Sequence, residues 1–130
     1  MSTIEEAFRA RIVALATPAG ERIYNEFLEQ EPTYPAIGFQ RSGTPVTRRA
    51  VDTGRRLFER ATFRVEVIAE SSASASAVAE ALYAGLDGWR GTSSGVDVMR
   101  CNRVFEGAAS FEDGDRFLKI IQQDYELTYR

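Results

Sequence analysis

Apolar residues recur at a regular period in several stretches of the chain, and these stretches predict most of its elements. Ile4, Phe8, Ile12 and Leu15 follow one another at spacings of four, four and three, the repeat of a single helix face. Thr3, followed three residues later by Glu6, has the pattern of a capping box. A first helix is therefore predicted from Ile4 to about Ala16. Thr17-Pro18-Ala19-Gly20 ends it, because proline disfavours continuation and glycine permits a left-handed turn. Val78, Leu82, Leu86 and Trp89 repeat the same spacing after Ser71-Ser72-Ala73-Ser74, whose hydroxyls are candidate N-caps. This second helix is predicted from Ser74 to about Asp87, and its many alanines allow it to lie close against a sheet.

A period of two marks the strands. Leu57, Phe63, Val65, Val67 and Ala69 share one parity, while Arg60, Thr62, Arg64 and Glu66 occupy the other, the signature of a half-buried strand. Ile121, Tyr125, Leu127 and Tyr129 alternate in the same way with Gln122, Asp124, Glu126 and Thr128, predicting a final strand from Phe117 to Tyr129. Tyr34 to Gln40 reads as an earlier strand whose Pro35 confines its start to an edge or a strand end. Gly88 to Gly95 breaks the second helix. Val96-Asp97-Val98 then opens a strand that continues through Val104-Phe105, and Asp113-Gly114 is a hairpin-turn signal. Arg41 to Arg56 is too polar for core and reads as the extended arm of a hairpin, partly disordered until bound. The order helix, strand, strand, helix, strand, strand predicts an α+β fold: a mainly antiparallel sheet with helices on one face, one extended hairpin arm, and residues 1–130 in one domain.

Composition narrows the chemistry. The 130 residues suffice for one core. There is no histidine, which removes the commonest general base, nucleophile activator and metal ligand together. Cys101 is the single cysteine, with no second thiol to pair with and no histidine to activate it, and reads as a small buried hydrophobe. Phosphate-binding glycine loops, a nucleophile elbow and Cys-x-x-Cys are absent. Glu112, Asp113 and Asp115 surround Gly114 but lack the further ligands of a calcium loop, so a solvated turn is expected. No catalytic residue, metal site or cofactor is predicted. No apolar run is long enough to span a bilayer, and Met1 to Glu6 is acidic where a secretory signal is basic. Folding in a cytoplasm is the expectation.

Sixteen basic against nineteen acidic residues give a net charge of −3, but the distribution is uneven. In residues 41–60, six arginines (Arg41, Arg48, Arg49, Arg55, Arg56, Arg60) face Asp52 and Glu59, leaving +4. In residues 21–31, Glu21, Glu26, Glu29 and Glu31 face Arg22, leaving −3. The two segments can pair within the chain or between identical chains in a head-to-tail ring; the alternative is a solvated arm with no partner. Arg48, Arg49, Arg55 and Arg56, with Glu26 and Glu29, are therefore the candidate assembly interface. Tyr24, Tyr34 and Arg48-Arg49 do not interleave on a strand as a nucleic-acid stacking platform requires.

The order and spacing of several segments resemble those of the tail-completion or tail-terminator proteins of long-tailed bacteriophages and gene transfer agents. These segments are Arg22-Ile23-Tyr24, Tyr34-Pro35-Ala36-Ile37, Arg60 to Glu70 leading into the helix Ser71 to Leu86, Phe111-Glu112-Asp113-Gly114, and Asp124 to Tyr129. The resemblance implies a non-enzymatic virion protein without a cofactor, assembled in the host cytoplasm into a ring, usually hexameric, at the head-proximal end of the tail tube. Its implied partners are further copies of itself, the major tail tube protein and the head-completion or neck proteins, with no membrane. The arginine-rich arm leaves open contact with protein or with the DNA that passes through the lumen. A head-closure or neck subunit of the same particle is the nearest rival, and a small-ligand or enzymatic α+β domain is the rival of a different class.

Overall fold

The computed structural model describes residues 3–25, 34–49, 56–113 and 116–130. Helix α1 (Ile4–Ala14) opens as the cap pattern predicts: Thr3 Oγ1 accepts a hydrogen bond from the Glu6 amide at 3.1 Å. It ends at Ala14, two residues earlier than expected; Ala16 then takes a φ of +50°, and the chain turns again at Gly20 with a φ of +60°. Helix α2 (Ser72–Leu86) starts two residues before the predicted point because Ser71 is the N-cap, its Oγ accepting from the Ser74 amide.

The strands form one six-stranded sheet in the order β1-β2-β3-β6-β5-β4. Their ranges are β1 (Ile23–Asn25), β2 (Ala36–Arg49), β3 (Arg56–Ala69), β4 (Gly91–Ser93), β5 (Val96–Asp113) and β6 (Arg116–Tyr129). Every pairing is antiparallel except β1 with β2. The α+β class and the mainly antiparallel sheet are as the periodicity predicts. Two short strands escaped it. Strand β1 lies between Gly20 and Tyr34, where no periodic pattern predicts an element. Strand β4 is joined to β5 by the two-residue turn Ser94-Gly95, with φ of +47° and +79°, the primed hairpin geometry that favours glycine. Strand β5 also runs on to Asp113, well past Phe105.

Both helices cover one face of the sheet. Phe8 of α1 stacks on Phe63 of β3 with ring centroids 4.5 Å apart and meets Phe39 of β2 edge-on at 5.6 Å. Val78, Leu82 and Leu86 of α2 are fully buried with Val65, Val67 and Leu127 in the same cluster. Each such side chain contributes about 1.5–3 kcal/mol by burial. The helices also hold each other: Arg11 donates to the Gly85 carbonyl at 2.9 Å and lies over the Trp89 ring. A side chain on Gly85 would collide with Leu15, so glycine sets how closely α1 approaches α2.

The opposite face carries the other parity. Arg64 sits opposite Asp124 and pairs with it at 3.8 Å, and Arg60 reaches Glu126 at 3.5 Å. Toward the far end of this face Ala36, Ile68 and Leu118 are buried apart from the helix-side cluster.

Two hairpins outrun the sheet, at opposite ends. The β3–β6 ladder stops at Glu59↔Tyr129, whereas β2–β3 pairing continues to Arg49↔Arg56. At the other end that ladder stops at Ala69↔Lys119, whereas β5–β6 pairing continues to Asp113↔Arg116. Of the predicted arm, Arg41–Ser42 and Val46–Arg49 pair with β3 on either side of an irregularity, β3 begins at Arg56, and residues 50–55 lie outside the described residues.

Candidate assembly surfaces

The arm is the continuation of β2 and β3 beyond the end of β6, and its pairing is interrupted by register shifts between Ser42 and Val46 and between Arg48 and Arg49. Alternation holds β3 on the core through Ala61 and Phe63, and antiparallel pairing then carries β2 out beside it. Its six arginines divide by position. Arg41, at the root, pairs with Glu5 of α1 at 2.7 Å, and Arg60 pairs with Glu126 of β6. These two belong to the body of the protein. Arg48, Arg49 and Arg56 occupy the distal rungs, where Arg49 and Arg56 are direct register partners and Arg48 faces Phe58. Arg55 and the acidic pair Glu26 and Glu29 lie outside the described residues.

A second surface, which the sequence did not single out, lies on β5. Strand β4 pairs only with Val96 to Val98, so the outer edge of β5 beyond Val98 has no strand partner among the described residues. Its first half is irregular, with register shifts between Val98 and Arg100 and between Arg103 and Phe105. From Phe105 to Asp113 the register is unbroken, and Ala108, Ala109 and Ser110 are exposed. The available signal was the run Gly107-Ala108-Ala109-Ser110, which has no charge, no proline and no large side chain.

Two hollows border this strand, one on each face. On the helix side, one of 240 Å³ is lined by Glu80, Tyr83, Arg103, Glu106 and Gln123, with Ser76 at its rim. Its walls are fixed by a polar chain that leads out of the core. Tyr125 Oη donates to Gln123 Oε1 at 2.6 Å, while Gln123 Nε2 donates to the Ala79 carbonyl at 3.1 Å and more weakly to Glu106. Glu106 pairs with Arg103, whose guanidinium lies 3.8 Å from the centre of the Tyr83 ring. Burial pushes the Tyr125 phenol above its ordinary range, so it remains a donor. On the opposite face a hollow of 290 Å³ is lined by Phe105, Ala109 and Ile120, with Glu66 and Gln122 at its polar side. The Phe105 ring lies against Gly107, where an added Cβ would come within 3.0 Å of it.

Neither hollow has the parts of a catalytic centre. Cys101 is fully buried and its thiol is pushed up to about 12, by burial first and then by Asp87, so it is a thiol and not a thiolate nucleophile at neutral pH. Among the described residues no group of three His, Cys, Asp or Glu side chains is placed to hold a metal ion. Glu112 and Asp113 are the last two residues of β5, and Asp115 lies outside the described residues.

The fold is thus a helix-backed sheet with two hairpins that outrun it and, among the described residues, a β5 edge without a strand partner. Residues 7–130 match the family model of the tail completion protein gp17, and the chain belongs to that family. Its role is structural, in a phage-type tail, and not enzymatic. Two solved structures share the fold. A chain from the virion of a native gene transfer agent particle superposes with a TM-score of 0.68 at 18% identity, over 99% of this chain and 98% of that one. A second gives a TM-score of 0.60 at 20% identity, over 95% of this chain and 92% of its own. No curated protein sequence matches.

Proposed function

We propose that this protein closes the head-proximal end of a tail tube as a ring of identical copies, hexameric in the arrangement its family resemblance implies, and that the ring ends tube growth and receives the neck. The observation that carries this reading is the β2–β3 arm, whose distal rungs with Arg48, Arg49 and Arg56 stand beyond the end of β6. A hairpin that continues past the end of the neighbouring strand β6 is placed to reach a neighbour. Its arginines become charge-assisted pairs only when an acidic surface covers them. The partners are further copies of the chain, the tube protein and the neck proteins, and the protein resides in the virion tail. No helix among the described residues is long and apolar enough to cross a membrane.

The deciding experiment images particles assembled without this protein. Tails of uncontrolled length with no attached heads support termination. Normal tails beside leaking, DNA-filled heads assign the chain to the neck instead. Changing Arg48, Arg49, Arg55 and Arg56 together to serine is expected to leave the melting temperature nearly unaltered and to weaken ring formation or capping. Charge reversal at Glu26 and Glu29 tests the acidic segment as the arm's counterpart: weakened assembly, partly restored by an acidic arm, is the expected result if the two touch. If the arm instead contacts DNA, ring assembly stays normal while DNA retention changes with a steep salt dependence.

A further inference from the structure

Resting on the reading that the arm docks on a neighbour, we infer that its acceptor is the open edge of β5 from Phe105 to Asp113 on a second copy of this chain, joined to it by strand addition. Three observations carry the assignment.

The first is the edge itself. Sheet proteins protect exposed edges with charge, proline, bulges or cover. The first half of β5 is interrupted by two register shifts, and the root of β2 carries Pro45 and a shift between Ser42 and Val46. The Phe105–Asp113 stretch has none of these devices at its centre, Gly107 to Ser110. An edge left bare where its surroundings are protected is an acceptor for an added strand. Side chains of an added strand alternate between the two faces of the sheet, and a hollow lies beside β5 on each face to take them.

The second observation is charge. Glu80 and Glu106 line one hollow and Glu66 the other, with Arg103 already engaged by Glu106. The strand ends in Glu112 and Asp113. Symmetric pairing of two β5 edges about Ala109 would set Glu106 of each copy against Glu112 of the other, which like-charge repulsion opposes. A basic strand is favoured. The strand of this chain that is extended, basic at its end and open on its outer side among the described residues is β2, whose β1 partner covers only Ile37 to Phe39. Pro45 bounds the free distal edge to Val46–Arg49, and the register shift between Arg48 and Arg49 shortens its regular part further, a length suited to one added strand and not to open-ended polymerisation.

The third is topology. In one chain β2 and β5 are separated by β3 and β6, and their hairpin ends lie on the order of 50 Å apart at the rise of a β-strand. Arginine and carboxylate side chains cannot bridge that distance, so arm and acceptor meet only between copies. Because donor and acceptor surfaces differ, the contact is heterologous and repeats head to tail, the condition for a closed ring.

The test uses particles complemented with variants. Copies carrying Thr47→Cys are co-expressed with copies carrying Ala109→Cys, both with Cys101→Ser, and purified particles are oxidised. The expected result is a disulfide-linked species that requires both cysteines; its absence, or a link formed by Ala109→Cys copies alone, overturns the proposal. In parallel, Ala108→Lys with Ser110→Lys places two charges on the bare edge. With an unchanged melting temperature, this variant should lose capping at least tenfold, as the four-arginine variant should. If the four-arginine variant fails and the lysine variant assembles normally, the arm docks elsewhere and only the acceptor is wrong. If the four-arginine variant assembles normally, arm docking itself falls and the acceptor with it.

Discussion

The two faces of the sheet share strands, backbone and register, yet they hold the protein in different ways. Gln122 and Gln123 show this within one peptide unit. Gln123 points to the helices, is buried, and is satisfied by Tyr125 and the Ala79 carbonyl. Gln122 points to the face opposite the helices, is only partly buried, and donates to Asp124 at 3.3 Å. What surrounds a side chain, more than its chemistry, sets its energetic weight: a polar group excluded from water must find a partner, and one that water reaches need not.

The largest break in the comparison comes from truncating the helix-side core. Phe8→Ala should destabilise by about 3–5 kcal/mol and Leu82→Ala by about 2–5 kcal/mol in denaturant unfolding. A change under about 1 kcal/mol for Leu82, below the range such cavities cost, would overturn the packing of α2 on β3 and β6. Next comes the adjacent pair. Gln123→Ala leaves the Tyr125 hydroxyl without its acceptor and should cost about 1–3 kcal/mol, whereas Gln122→Ala should stay within about 0.5 kcal/mol. Equal losses at the two positions would erase the distinction between the faces.

Cys101 sharpens the comparison through pH. Its thiol ionises near 9.0 when unfolded and at about 12 in the fold, so the folded state favours the neutral form. That contribution is complete below pH 9 and is lost as pH rises from 9 toward 12, at up to about 1.4 kcal/mol per pH unit. Tyr129, raised from 10.0 to about 12 chiefly by burial and then by its hydrogen bond with Glu59, adds a loss that begins near pH 10. Cys101→Ala should therefore move the onset of alkaline destabilisation from about pH 9 to about pH 10, measured by melting across that range. Cys101→Ser should cost about 1 kcal/mol at neutral pH and leave assembly unchanged; lost assembly with an intact fold would give the thiol a role the structure does not. The smallest effect belongs to the face opposite the helices. Removing the Arg64–Asp124 pair by double substitution to serine should change stability by less than about 1 kcal/mol, and a larger loss would show that this face is shielded from water as the other is.

Periodicity made much of the fold legible. Alternation at Phe63, Val65 and Val67 and the stripe Val78, Leu82 and Leu86 identified which faces meet, because burial of one face imposes a period that no other arrangement satisfies. The cap at Thr3 was readable because it is local. Strand β4 was less so, although Ser94-Gly95 carried a turn signal, since three residues are too few to show alternation. The candidate site was legible only on its basic side. Arg48, Arg49 and Arg56 stand out by charge, whereas an acceptor edge is conspicuous in sequence only for what it lacks.

The sequence by itself determined the helices, the inward parity of β3 and β6, and the absence of histidine-based chemistry, since each follows from residue type and spacing along the chain. The order of strands was decided by tertiary structure. Nothing local states that β6 lies between β3 and β5, that β2 outruns β6 at one end while β5 outruns β3 at the other, or that the β5 edge has no strand partner among the described residues. Those facts depend on contacts between residues far apart in the chain, whose pairing is chosen by the collective burial of one sheet face under two helices.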